Sequence, residues 1–137
     1  MLDLPEELKY SKEHLWVRIE NQERAVIGLT DYAQKQLGLI NTIDLSEVGE
    51  EIEQEDSFGS VEARKTIAEL YAPVSGTVLE INRDVINSPE IINDDPYDNG
   101  WLAIIELADS EELRMLMSDS NYLDYIEDTE NIDDTEE

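Results

Sequence analysis

The sequence predicts a small, mainly β domain of the sandwich or barrel type, with one early helix and a helical element near the C-terminus. Short runs rich in β-branched residues, "AVIGL", "LINTIDL", "TVLEI" and "WLAIIEL", recur at close spacing with turn residues between them. Helix punctuation surrounds residues 30–38, with cap-forming Thr30 and Asp31 at one end and Gly38 at the other. After residue 108 the apolar period changes from strand-like to helix-like. With 137 residues and 40% hydrophobic content, the chain has the length of one domain and enough apolar mass for a modest core.

Taken in order, Pro5 followed by acids predicts a short helical turn. Residues 15–20 alternate apolar and polar, as in a half-buried strand, and "AVIGL" is a second strand. The segment "TDYAQKQLG" is the early helix, with Thr30 or Asp31 as N-cap, and "LINTIDL" is a third strand. "EVGEEI" reads as a loop or turn around Gly49. "SFGSVE" and "TIAELY" are short strands with Ala63, Arg64 and Lys65 between them, although no Gly or Asn marks the bend. "APVSG" is a turn and "TVLEI" a cleanly alternating strand, while residues 82–100 read as a long loop punctuated by Pro89, Pro96 and Gly100. "WLAIIEL" is the most apolar strand. A helix then begins at Asp109 or Ser110, with Glu112 placed for a capping box. Leu113, Leu116, Met117, Tyr122, Leu123 and Ile126 form its apolar stripe. Residues 127–137 are an acidic segment whose composition argues for disorder.

Charge narrows the function. Thirty-five Asp and Glu oppose nine Lys and Arg, for a formal charge of −26. Nucleic acid is disfavoured, because phosphates need basic neutralisation, and anionic membrane surfaces are disfavoured for the same reason. No run approaches the roughly 18 apolar residues of a membrane span. The acid excess suits a soluble protein kept dispersed by self-repulsion, or a cytoplasm rich in screening salt. Without cysteine, disulfides, thiol nucleophiles and thiolate metal sites are excluded, and one histidine, His14, leaves no zinc cluster. The N-terminus has neither signal nor transit character, which predicts a bacterial cytoplasmic protein.

Most of the chemistry-bearing residues have plain structural readings. Asp94 and Asp95 beside Pro96 lack the spacing of a calcium loop and read as a turn. "VIGLTD" has no phosphate-loop pattern. His14 has no Ser or Cys partner for nucleophilic catalysis, and Trp16 and Trp101 fall on core positions of strands. Lys65 stands apart. It is one of four lysines, it sits between two strands, and a long acyl arm needs a primary amine on a rigid, protruding support.

Six motifs, "LKYSKEHLWV", "IGLTDYAQKQLG", "DLSEVGEEI", "SFGSVEARK", "LYAPVSGTVLEIN" and "SPEIINDDPYDNGWL", occur in this order. Together they resemble the H protein family of the glycine cleavage system, over almost the whole chain. The resemblance implies a hammerhead-like lipoyl domain (a barrel-sandwich hybrid) of two small antiparallel sheets, with an early short helix and a C-terminal helix. Residues 1–126 would be the single carrier domain and 127–137 the acidic tail. It implies a monomeric carrier that is not itself an enzyme, with lipoate amide-linked to Lys65. The partners implied are a lipoate-attaching enzyme, a glycine decarboxylase, an aminomethyltransferase and a dihydrolipoamide dehydrogenase, among which the arm shuttles an aminomethyl group. Glu62, Ala63, Arg64, Thr66 and Glu69 would surround the arm, and Glu13, His14 and Leu15 would belong to the cleft that receives it. Biotin carriers share the general fold but flank their lysine with methionines, where Arg64 and Thr66 stand here.

The chain departs from the family pattern at two places. Arg64 replaces a valine beside the lysine, and its charge favours the unprotonated amine that acylation needs. Leu15 replaces the glutamate of the family's His-Glu-Trp, which removes a partner for a cationic cargo. An H-like carrier of sulfur intermediates, working with a heterodisulfide-reductase-like complex, is therefore the alternative implied. An unmodified binding module is a third reading, from a different class.

Overall fold

The computed structural model describes residues 2–21, 23–64 and 66–135. In chain order the elements are β1 (Lys9–Tyr10), β2 (Leu15–Asn21), β3 (Arg24–Leu29), α1 (Asp31–Leu37), β4 (Ile40–Leu45), β5 (Glu51–Ile52), β6 (Ser57–Ala63), β7 (Ile67–Tyr71), β8 (Gly76–Ile81), α2 (Arg83–Asn87), α3 (Glu90–Asp94), β9 (Ala103–Leu107), a 3-10 helix (Ser110–Met115) and α4 (Asp119–Thr135). The strands form a six-stranded sheet in the order β1-β2-β3-β9-β8-β5 and a three-stranded sheet in the order β4-β6-β7. All pairings are antiparallel.

At its start β2 is buried on both faces, Leu15, Trp16 and Val17 alike, and it is exposed from Ile19 onward, so the half-buried alternation expected of residues 15–20 is not seen. Strand β3 is buried from Ala25 to Leu29. Successive side chains point to opposite faces. Leu15 and Val17 of β2, with Ala25, Ile27 and Leu29 of β3, enter the main core against Ile43, Phe58, Val61 and Leu70 of the smaller sheet. Trp16 and Val26 point the other way, into a second cluster with Leu8, Tyr10, Tyr122 and Ile126. The C-terminal helix α4 thus covers the outer face of the N-terminal strands. Gly28 pairs with Trp16 across β2 and β3, and a Cβ there would lie 2.5 Å from the Trp16 ring. Glycine is what lets the indole lie flat over β3. The indole N–H donates to the Pro96 carbonyl at 2.9 Å, so its burial leaves no polar atom unmet.

The early helix has the predicted ends. Thr30 is the N-cap, its side chain accepting from Ala33 N, and Gly38 ends the helix at φ 81°. Trp16 is buried in the second cluster as expected, whereas Trp101 precedes β9 and is half-buried.

Several expectations are corrected. Pro5 leads into a turn and then the short strand β1, and the segment around Gly49 contains the short strand β5. The expected long loop at residues 82–100 holds α2 and α3. Asn82 caps α2 through Asp84 N, and its amide donates to the Asn99 and Trp101 carbonyls, which folds this segment back on itself. The C-terminal helical stretch is two elements, separated near Leu116. Asp109 does cap the 3-10 helix, but Glu112 makes no capping box; its carboxylate accepts from Ser75 N and Ser75 Oγ, each at 2.7 Å. A carboxylate that finds two donors across the chain outcompetes a local cap. Helix α4 continues through residues 127–135, the greater part of the segment read as a tail, and residues 136–137 lie outside the described residues. Among the described residues no helix is long and apolar enough to cross a membrane.

Candidate functional site

The β6–β7 hairpin carries the site. Val61 pairs with Ala68 and Glu62 with Ile67, and Ala63 N donates to Thr66 O at 2.8 Å to close the bend. Arg64 N donates to Leu39 O at 2.9 Å, which anchors the end of β6 to the residue preceding β4. Of the residues expected around an attachment point, Glu62, Arg64, Thr66 and Glu69 are exposed, while Ala63 is buried and fixes the strand to the core. Lys65 itself lies outside the described residues, in the connection that Ala63 and Thr66 bracket. Just beyond it Ile67 is 68% exposed, an unusual position for a β-branched apolar side chain. Glu69 accepts from Ser57 Oγ at 2.8 Å, which orients its carboxylate on the hairpin face.

Beside the hairpin runs a groove of about 260 Å³, between β6–β7, helix α1 and the turn that precedes β2. Its floor is apolar, made by Leu29, Leu37, Val61 and Leu70, and its polar lining includes Glu13, His14, Tyr32, Gln36 and Glu69. Two of the three cleft residues expected from the sequence are therefore on the groove wall, and Glu69 joins them from the hairpin. Leu15 is not on that wall. Its side chain is 1% exposed and packs in the main core. The alternation of β2 sends residue 15 inward.

His14 is held in an uncommon backbone conformation for a non-glycine residue, φ 71°. It sits in a tight turn. His14 N donates to Ser11 O at 3.1 Å, Leu15 N to Ser11 Oγ at 3.1 Å, and Thr30 N to His14 O at 3.2 Å. Its Nδ1 meets the Tyr122 hydroxyl at 2.8 Å, and the rings of Tyr32, Tyr122 and Tyr125 surround it. Burial pushes the imidazole pKa below its ordinary value. The same burial raises the Tyr122 hydroxyl well above the usual phenol range, so it stays protonated.

Tyr32, Gln36 and Tyr122 were missed as site residues by the sequence reading. Tyr122 shows there only as one member of an apolar stripe, and nothing local links it to a residue 108 positions away. Among the described residues, no group of His, Asp and Glu is arranged to hold a metal.

Comparison with known proteins agrees with this geometry. The family model described as glycine cleavage H-protein matches residues 8–129. The glycine cleavage system H protein of Oceanobacillus iheyensis is 50% identical over 127 residues, 93% of this chain and 100% of that protein. That of Halalkalibacterium halodurans is 47% identical over 126 residues, 92% and 98% of the two chains. The crystal structure of a glycine cleavage system H protein from Mycobacterium marinum superposes with a TM-score of 0.77 at 31% identity, covering 87% of this chain and 95% of that one.

Proposed function

Because the chain belongs to the glycine cleavage H-protein family, it is a non-catalytic carrier of that system, and we propose that Lys65 is the residue through which it carries lipoate. Lipoate held there would supply a redox-active disulfide, which would serve the transfer of an aminomethyl unit from a glycine decarboxylase to an aminomethyltransferase and be regenerated by a dihydrolipoamide dehydrogenase. The observation that carries this reading is the continuity of hairpin and groove. Exposed Glu62, Arg64, Thr66 and Ile67 make a tip that a modifying enzyme reaches, and Val61, Ala68, Glu69 and Leu70 of the same two strands form one wall of the groove. An amphipathic arm fits such a place, because the floor is apolar and the rim carries carboxylates.

The chain's own residues then do three things. The hairpin strands that flank position 65 in sequence are a stiff support, and an arm attached there would make each transfer a tethered encounter at roughly millimolar effective concentration. The apolar floor takes up the hydrocarbon part of the arm and excludes water. Glu13 and Glu69 face the end of the arm that carries an amine, which is cationic at neutral pH. Glu13 thereby supplies the carboxylate that Leu15 does not, and the loss of the family's glutamate leaves the groove anionic. The alternative of a sulfur carrier has no supporting observation in the fold or among the relatives. We read the protein as a monomer of the bacterial cytoplasm, with residues 1–126 as the carrier domain.

Intact-mass analysis tests the attachment. Incubation with a lipoate-attaching enzyme, ATP and lipoate is expected to add one lipoyl group to the wild type and none to Lys65→Arg. Glycine and the decarboxylase should then add an aminomethyl mass to the oxidised holo form. An adduct that survives Lys65→Arg, or a holo chain that takes no mass from glycine, would overturn the reading.

A further inference from the structure

The groove wall holds the chain's single histidine, and a line of hydroxyls ties its ring to the start of α1. His14 Nδ1 lies 2.8 Å from the Tyr122 hydroxyl, and that hydroxyl lies 2.9 Å from Thr30 Oγ1. Thr30 Oγ1 also accepts from Ala33 N at 3.1 Å. The proton positions follow from counting donors. Thr30 is fully buried, and Tyr122 is the partner available for its hydroxyl proton. Tyr122, equally buried, accepts from Thr30 and has its own proton to donate, with Nδ1 facing it. Nδ1 is then the bare acceptor, and the ring proton sits on Nε2. The reverse order would leave the Thr30 proton without a partner among the described residues, which buried hydroxyls avoid.

We propose that Tyr122 is a positioning residue that holds His14 as the neutral Nε2–H tautomer, so that the groove beside Glu13 and Glu69 gains a hydrogen-bond donor and no positive charge. The functional part of this rests on the carrier reading above: a protonated ring would compete with a cationic cargo for the same two carboxylates. The groups facing the ring pull in both directions. Glu13 and Glu69 line the same groove and would favour an imidazolium there, as would the tilted rings of Tyr32 and Tyr125, at 5.0 and 6.0 Å between ring centroids. Burial opposes it, and a Tyr122 hydroxyl that donates to Nδ1 would oppose it as well. The positive φ of His14 is consistent with a residue placed for its ring, because Nδ1 meets Tyr122 of α4 while His14 also lines the groove.

Proton-detected nitrogen NMR of the unmodified chain, labelled with ¹⁵N-histidine, reads this directly, since one histidine needs no assignment. The wild type is expected to show an unprotonated Nδ1 and a protonated Nε2, with a titration midpoint below 6.5. Tyr122→Phe keeps the ring that stacks on Tyr10 at 4.8 Å but removes the hydroxyl. It should give a mixture of tautomers and a midpoint shifted upward. Thr30→Ser should retain the wild-type signature, and so should Thr30→Val, which leaves Nδ1 as the side-chain acceptor for the Tyr122 proton. A wild-type Nδ1 that carries the proton, or a Tyr122→Phe spectrum indistinguishable from wild type, would overturn the proposal. No lipoate is needed, so failure here leaves the Lys65 reading untouched, and a missing adduct on Lys65 leaves the tautomer result standing.

Discussion

Neutralising the groove rim with Glu13→Gln and Glu69→Gln should weaken retention of the cationic cargo without disturbing the fold. Both substitutions keep size and hydrogen-bonding capacity and remove one charge each. A hydrogen bond to a charged group is worth about 1.5–3 kcal/mol when sheltered. Both carboxylates are exposed, however, so the surface range of about 0.2–1 kcal/mol per pair is the better starting point. The two together then contribute about 0.5–2 kcal/mol, which at 1.4 kcal/mol per tenfold is a factor between about 2 and about 30. The measurement is the first-order release of amine from aminomethyl-loaded holo protein, for wild type, each single variant and the double. It should be made at about 0.01 M and about 1 M salt, where the Debye length falls from ~30 to ~3 Å. Faster release in the variants at low salt, with a narrower gap at high salt, is expected. A double variant that releases its amine at the wild-type rate at low salt would refute the assignment of these two carboxylates.

Leu15→Glu, which restores the residue typical of the family, should destabilise this chain and not improve retention. The Leu15 side chain is 1% exposed in the main core. Losing its burial costs about 1.5–3 kcal/mol, and an unpaired carboxylate there costs several more. A lowered urea midpoint is expected, and an unchanged midpoint would show that residue 15 reaches the groove. A second prediction concerns pH. The His14 pKa is depressed by burial, so the unfolded chain binds more protons than the native one between the native pKa and 6.5. Stability should therefore rise with pH across that window and level off above it. Urea midpoints measured from about pH 5 to 8 should show this rise in wild type, and His14→Gln should lack it.

The larger elements were legible because their signals are local and periodic. β2, β3, β8 and β9 announce themselves by β-branched residues, and the α1 ends are set by Thr30 and Gly38, whose cap geometry needs nothing from the rest of the chain. The misses have the opposite character. β1 and β5 have two residues each, and α2 and α3 have five each, too few for any period to show. These pieces form because a neighbour supplies partners: Met117 for Tyr10 and Gly76 for Ile52. Glu112 looked like a cap because a capping box is a matter of spacing, yet two donors on Ser75 claim it. The groove divides along the same line. Glu13, His14 and Glu69 are found from the motifs, whereas Tyr122 reaches the site only when α4 closes over the N-terminal strands, a contact no window of sequence contains.

The site has to stand out on a surface where carboxylates are everywhere. A chain of net charge −26 attracts cations to its whole surface, so two glutamates alone do not make a binding place. What distinguishes the groove is its floor. Leu29, Leu37, Val61 and Leu70 are all buried beneath it and limit the water between cargo and rim. Unit charges 4 Å apart interact by about 1 kcal/mol in bulk water and about 4 kcal/mol at an effective dielectric near 20. The same glutamate therefore counts for more at the groove than on the open face of α4. High salt suppresses the diffuse attraction first, because widely separated charges are screened most and charges in close contact least. Some of the difference between wild type and the double rim variant should thus survive at high salt, while accumulation of free amines around the protein does not.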